Sequence, residues 1–361
     1  MKRNLLYAFT MLCSLSLMTT SCSKDDEPTV EEGKVLDVNA SYKGESLDLT
    51  YSESVLPGKV ITFNTTDGKT ATLEMKGEFD LTSLIPTKAD MPVMNLAPGV
   101  IPGEVTTTIS NVALTLDGET YKFEGTDSQN GRTTEYKGQV EKGKLTLAIN
   151  NVMPESKIQG TWNLADAQIV NIVWNSEKDI MIPNPQGGMQ SLPVSFIAQF
   201  VSGILDQQIK PVLNTISFNN DGNIVADYNK DGEKKVSPLN IANYYMKDDK
   251  MYVQMNIAML LTVINQTKAG FDMGAIAQFL PLLSEGVPLT CSVGGSNATI
   301  TLEKDIIVPL LSFVLTNETI SGLILKSIPE NVKPMVEALL PQLTEVLSST
   351  TEMKVSLNLK K

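Results

Sequence analysis

Val60-Ile61-Thr62-Phe63-Asn64-Thr65-Thr66-Asp67-Gly68-Lys69-Thr70-Ala71-Thr72-Leu73-Glu74-Met75 alternates apolar and polar side chains on both sides of an Asp-Gly pair. Period-two alternation belongs to strands with one buried face, and Asp-Gly supplies the positive φ that a tight hairpin turn needs. The same grammar extends outward. Ser46 to Tyr51 puts Leu47, Leu49 and Tyr51 on one face. Ala113 to Leu116 and Tyr121 to Phe123 flank Asp117-Gly118, while Asn130-Gly131 and Lys142-Gly143 separate further alternating runs ending in Lys144–Ile149. About eight strands are predicted before residue 150, with almost no helical periodicity. Pro86, Pro92, Pro98 and Pro102 punctuate residues 84–104, which predicts a long loop, because proline cannot donate to a central ladder.

Many short strands at regular spacing predict a sandwich or barrel. Tyr42-Lys43-Gly44 before Leu47-Asp48-Leu49, and Tyr136-Lys137-Gly138 before Gly143-Lys144-Leu145-Thr146-Leu147, resemble the calycin-like domains of Bacteroidetes lipoproteins. The resemblance covers roughly residues 34–150. It implies a small up-and-down antiparallel barrel of the lipocalin kind and no enzymatic activity.

A second unit is expected over 158–361, after a first β domain over 34–152. Ile158-Gln159-Gly160-Thr161-Trp162-Asn163-Leu164 resembles the Gly-x-Trp opening strand of lipocalins, where the tryptophan plugs one end of the barrel. Ile216–Gly222 echoes Ile61–Gly68, and Met251–Met255 echoes Lys144–Ile149. This unit also carries helical patterns. Ile197, Val201, Ile204, Leu205, Ile209 and Val212 fall on one face of a helix over 194–212. Residues 257–264 and 273–283 read as helical, and a helix begins near Pro334, with Pro341 expected to kink it or end its first part. Met353–Leu359 reads as a final strand. The fold class expected is therefore β-rich α+β, with a mostly antiparallel sheet or barrel-like second unit covered by several helices.

The first residues say where the chain goes. Lys2 and Arg3 precede an apolar run, Leu5 to Met18, that ends in Thr19-Thr20-Ser21-Cys22. Fourteen residues are too few to span a bilayer core of roughly 30 Å as a helix. Basic head, apolar core and small residues before a cysteine resemble a bacterial lipoprotein signal peptide over 1–21, although Thr19 stands where Leu is usual. An ordinary secretory signal with an incidental cysteine is the alternative. The resemblance implies lipid on Cys22 and attachment to the outer membrane. Ser23, Lys24, Asp25, Asp26 and Glu27 then resemble the acidic export signal of Bacteroidetes surface lipoproteins, within a tether over 22–33. Display to the cell exterior is expected, with the periplasmic face as the alternative.

Composition excludes much chemistry. Without Lys2 and Arg3 the chain has 27 basic and 41 acidic groups, a formal charge of −14, and Arg132 is its only arginine. A nucleic-acid partner needs clustered cations and is not expected. There is no histidine, which removes Ser-His-Asp and Cys-His catalysis and most zinc sites. Cys291 has no partner and reads as a small buried apolar residue. Asp227-x-Asn229-x-Asp231-Gly232 opens like an EF-hand calcium loop, but Pro238 stands where the bidentate glutamate belongs, so a polar hairpin turn is the favoured reading. No cofactor and no catalytic residue is assigned. Carboxylates are plentiful, and a two-carboxylate hydrolase is carried only as an alternative.

Phe196, Phe200, Met255, Met259, Phe279 and Phe313 supply soft and aromatic surface on the second unit. Core packing is the plain reading. The functional reading is a pocket for an apolar ligand, rimmed by the 84–104 loop and by Pro183–Gly188. The function expected is a non-enzymatic, lipid-anchored envelope protein binding a small apolar molecule, a glycan or another surface protein. An adhesive or structural part of an outer-membrane complex is the alternative.

Overall fold

A computed structural model describes residues 35–78, 97–184, 187–259, 285–316 and 333–361. Residues 35–361 form one compact unit. The expected signal, lipidation and export residues, the predicted 273–283 helix and Phe279 lie outside the described residues.

Among the described residues the first half holds ten strands: β1 (Ala40–Lys43), β2 (Leu47–Tyr51), β3 (Ser54–Val55), β4 (Lys59–Thr65), β5 (Thr70–Gly77), β6 (Thr106–Ala113), β7 (Thr115–Asp117), β8 (Thr120–Gln129), β9 (Arg132–Glu141) and β10 (Lys144–Val152). They form a four-stranded sheet, β1-β4-β5-β6, and a six-stranded sheet, β3-β2-β10-β9-β8-β7. The opening motif is the β4–β5 hairpin, with Phe63 opposite Leu73. Asp67 ties its turn by accepting from the Lys69 and Thr70 amides, both at 2.8 Å. Those backbone donors, Thr70 first, hold its carboxyl below the usual range.

The two sheets share one apolar core, in which Phe63 meets Phe123 at 5.8 Å between ring centroids. Among the described residues no sheet closes into a barrel. The reason lies at two corners. Between β1 and β2 a 3₁₀ turn, Gly44–Ser46, ends the first ladder, with Gly44 at φ +54°. Near the end of β6 the register shifts against β5, and Asn111 takes φ +58°. Such a bulge bends its strand, and Leu114 leaves the ladder before β7 begins in the other sheet. One pair departs from the antiparallel expectation, because β2 runs parallel to β10.

The second half adds β11 (Gly160–Leu164), β12 (Val170–Ser176), β13 (Ile180–Pro183), β14 (Met189–Leu192), α1 (Val194–Ile209), β15 (Leu213–Phe218), β16 (Ile224–Lys230), β17 (Glu233–Val236), β18 (Ala242–Lys247), β19 (Lys250–Met255), β20 (Val287–Gly294), β21 (Asn297–Glu303), α2 (Lys304–Thr316), α3 (Lys333–Ser348) and β22 (Thr350–Lys360). Ten of these strands form a sheet in which β22 is central. It pairs β21 along one edge and both β11 and β12 along the other. A single bridge, Asn223 to Asn243, joins the head of β16 to β18, and one bridge is not a ladder.

Alternate residues of β22 serve two cores. Met353 and Val355 pack with Trp174, Ile180 and the helical residues Ala198, Ile307 and Leu347. Leu357 and Leu359 pack with Trp162, Phe218 and Tyr244. Trp162 is fully buried, its indole N–H donates to the Ile158 carbonyl at 2.6 Å, and the Lys361 ammonium stands 4.6 Å over its ring.

Three helical expectations change. The helix predicted over 194–212 stops at Ile209, just before Lys210 and Pro211. The helix at Pro334 starts at Lys333 and runs through Pro341 without ending. Lys304–Thr316, not predicted, is a helix with Pro309 inside it. The EF-like stretch is the β16–β17 hairpin, with Asp231 and Gly232 supplying positive φ at the turn. Asp227 and Asn229 there are hydrogen-bonded to Asn214, and no group of three acidic, cysteine or histidine side chains fit for a metal is found among the described residues.

Candidate functional site

The proposed ligand residues do not form one group. Phe196 and Phe200 sit one turn apart on α1 and remain 62% and 46% exposed. Met255 ends β19, and Met259 follows in a helical turn whose amide is capped by Asn256 at 3.2 Å. Phe313 is half-buried in α2. Met181 and Met189 on the β13–β14 hairpin are also exposed. The α1 helix is committed on its other side to β12. Its Asp206 carboxylate accepts from the Ile169 and Val170 amides (3.1 and 2.6 Å), and its Ser202 hydroxyl accepts from the Ile172 amide at 3.0 Å.

The concentrated polar chemistry lies elsewhere, on the seam between the two halves. Twelve polar residues are buried among those described, and nine of them belong to this seam or to the arginine network behind it, which selects it as the site. Lys59 is the first residue of β4, and the strand period places it on the face of Ile61 and Phe63. Its side chain therefore follows the core inward and is 5% exposed. Its amine donates to the Pro98 and Gly99 carbonyls at 2.6 and 3.0 Å. Those carbonyls can approach because Lys59 pairs across the ladder with Gly77. A Cβ on Gly77 would lie 2.3 Å from the Pro98 oxygen. Burial without a facing carboxylate, among the described residues, brings the Lys59 pKa down to about 7.

The loop held by Lys59 is gripped at its other end by the second buried cation. Arg132 opens β9 after the Asn130-Gly131 turn. It donates to Glu104 (2.6 and 3.1 Å), Asp127 (2.9 Å) and the Thr134 hydroxyl (2.7 Å), and Thr134 donates to Asn151 at 2.6 Å. Glu104 and Asp127 are thus spent in ion pairs on one guanidinium. Between the two cations, the loop touches the second half. The Gly103 amide donates to Gln254 at 3.2 Å, and a Cβ on Gly103 would meet the Tyr245 ring at 2.8 Å.

Asn240 completes the seam from the second half. Its amide group donates to the carbonyls of Tyr51, Ser54 and Val55 at 3.0, 3.1 and 3.3 Å. Its backbone amide is received by Asn223 at 2.7 Å. Tyr51 reaches the other way and donates its hydroxyl to the Asp221 carbonyl at 2.5 Å. Burial, then Asp221, pushes that phenol far above its ordinary range. The Asn240 side-chain oxygen is buried without a partner. Asn240, Lys59, Tyr51 and Gln254 line a void of about 10 Å³, room for about one water molecule.

Chemically, the seam offers one near-neutral amine in a space too small for an organic substrate. Cys291 offers less, since burial pushes its thiol up. Sequence reasoning treated Pro98 and Pro102 as loop punctuation and passed over Lys59 and Asn240. The signal for Lys59 was present in the β4 alternation. No protein-family model, no curated protein and no solved structure matches this chain.

Proposed function

We propose that this chain is a lipid-anchored envelope protein, held through Cys22 and facing the cell exterior, that works as a non-enzymatic binding module for another surface protein. The observation that carries this reading is the exposure of Phe196 and Phe200 on α1, beside exposed methionines on the preceding hairpin. Burying a phenylalanine is worth about 1.5–3 kcal/mol, and aromatic side chains are enriched among the residues that dominate interfaces. The two buried cations, Arg132 and Lys59, are consumed inside the fold, which leaves the exposed aromatics of α1 to carry the reading. In this proposal the first half is a flattened relative of the calycin barrel, its circuit interrupted at the two corners, and the helices cover the apolar face of β22.

The test is photo-crosslinking in the intact envelope. A photoreactive phenylalanine analogue is placed at position 196, 200 or 116 of the full chain; Leu116 is an exposed apolar residue on the first half. One discrete protein adduct is expected from 196 and 200 and none from 116. Adducts from 116 alone, or from no position, reject the binding face. A parallel arm replaces Cys22 with Ala and follows incorporation of labelled fatty acid, which is expected to vanish; retained label rejects the anchor. A small apolar molecule is the second reading, favoured by Met255 and Met259 on either side of the void-lining Asn256 in the chain, which accepts from the Met259 amide. Native mass spectrometry of the purified chain distinguishes it.

A further inference from the structure

The Lys59 amine stands on two carbonyls, and a neutral amine has two N–H donors. The match is complete in the uncharged form. An ammonium carries a third donor, and among the described residues no carboxylate faces it. Asn240, whose side-chain oxygen is buried without a partner among the described residues, lines the same void. Among the described residues, the titratable groups that neighbour it are committed elsewhere. Tyr51 on β2 donates to the Asp221 carbonyl, and the Asp221 carboxylate accepts from Asn223. Glu78 after β5 pairs with Lys43, Glu104 pairs with Arg132, and Tyr245 on β18 donates to the Glu285 carbonyl.

We propose that Lys59 makes closure of the seam proton-sensitive: the closed seam holds the uncharged amine on the Pro98 and Gly99 carbonyls, and a proton on that amine favours an opened seam in which water reaches it. The loop concerned is the one that both halves share, so a charge placed there acts on the contact between Gly103 and Gln254 and on the clasp made by Asn240. The sign follows from linkage. The amine has an ordinary pKa of 10.5 when opened to water and about 7 when closed. The opened form therefore binds more protons, and opening is favoured as pH falls. Between pH 8.5 and 6 those two values give a rise of about thirtyfold in the opening equilibrium.

Hydrogen exchange of the full chain reads this directly. After correction for intrinsic rates, protection of the Gly103, Asn240 and Asn256 amides is expected to fall about thirtyfold from pH 8.5 to 6, while β8–β9 amides change little. In Lys59→Met, a neutral side chain of similar length, the seam amides are expected to lose that dependence. An NMR titration of the lysine side chains supplies a second measurement that does not need the variant to fold. One lysine is expected to titrate near neutrality. Seam protection that is flat with pH in the native chain, or every lysine titrating near 10, overturns the proposal.

Discussion

Gly77 is the residue on which the buried lysine depends. It lies across the ladder from Lys59, and the Ala97 and Pro98 carbonyls occupy the space where a side chain would begin. The nearest obstacles to a methyl group are backbone atoms, at 2.3 and 2.5 Å, so no rotamer change relieves them. Gly77→Ala is expected to cost about 2 kcal/mol of stability in urea unfolding and to lift the loop from the Lys59 amine. Its φ is not in the left-handed region, so steric room is the whole of the argument. A loss under about 0.5 kcal/mol, the usual range for neutral surface changes, would show that the loop yields freely.

At the scale of elements, β12 shows how an exposed ladder edge is managed. One edge pairs with β22 and the other meets α1, whose Asp206 and Ser202 accept the amides that a further strand would have taken. Free edges invite pairing with other chains. Asp206→Ala leaves the buried Ile169 and Val170 amides without that acceptor and is expected to destabilise by about 1.5–3 kcal/mol. Urea unfolding measures this, and faster exchange of those two amides should accompany it. The hairpins, including β4–β5 and β15–β16, were legible because Asp-Gly and alternation are local signals. The α2 helix was not, because Ile306-Ile307-Val308-Pro309 reads locally as a strand closed by proline, and packing of Ile307 and Leu311 against the core overrides it. The corners that keep the first half open were illegible too, since a one-residue bulge at Asn111 leaves the alternation around it intact. The seam escaped sequence reading for a different reason. Its cross-half bonds join residues far apart in the chain, 151 positions for Gly103 to Gln254, 170 for Tyr51 to Asp221 and 189 for Asn240 to Tyr51, so no short window contains both ends of one.

For the whole molecule, the apolar cores of the two β assemblies are separate among the described residues, and polar clasps join them. Asn240 is the largest of these, taking three carbonyls of the β2–β3 turn. It also holds φ +65°, a region in which asparagine is tolerated and glycine is at ease. Asn240→Gly therefore removes the clasp while keeping the backbone. The native chain is expected to unfold in one calorimetric transition. Asn240→Gly is expected to separate into two, with a ratio of van't Hoff to calorimetric enthalpy below one. A single transition retained in the variant would mean that the remaining seam contacts suffice.

The position of β22 has a consequence in time. It is the strand against which β11, β12 and β21 all assemble, yet its contact with the segment between β11 and β12 spans 190 residues, as in the Asn358 bond to the Gln168 carbonyl. At roughly 5–20 residues per second of synthesis, β11 and β12 wait about 10–40 s for their partner. During that interval β11 can pair with β15 and β12 can meet α1, but the two are not joined through β22. What the delay leaves open is one edge of each strand, the edge that β22 later takes.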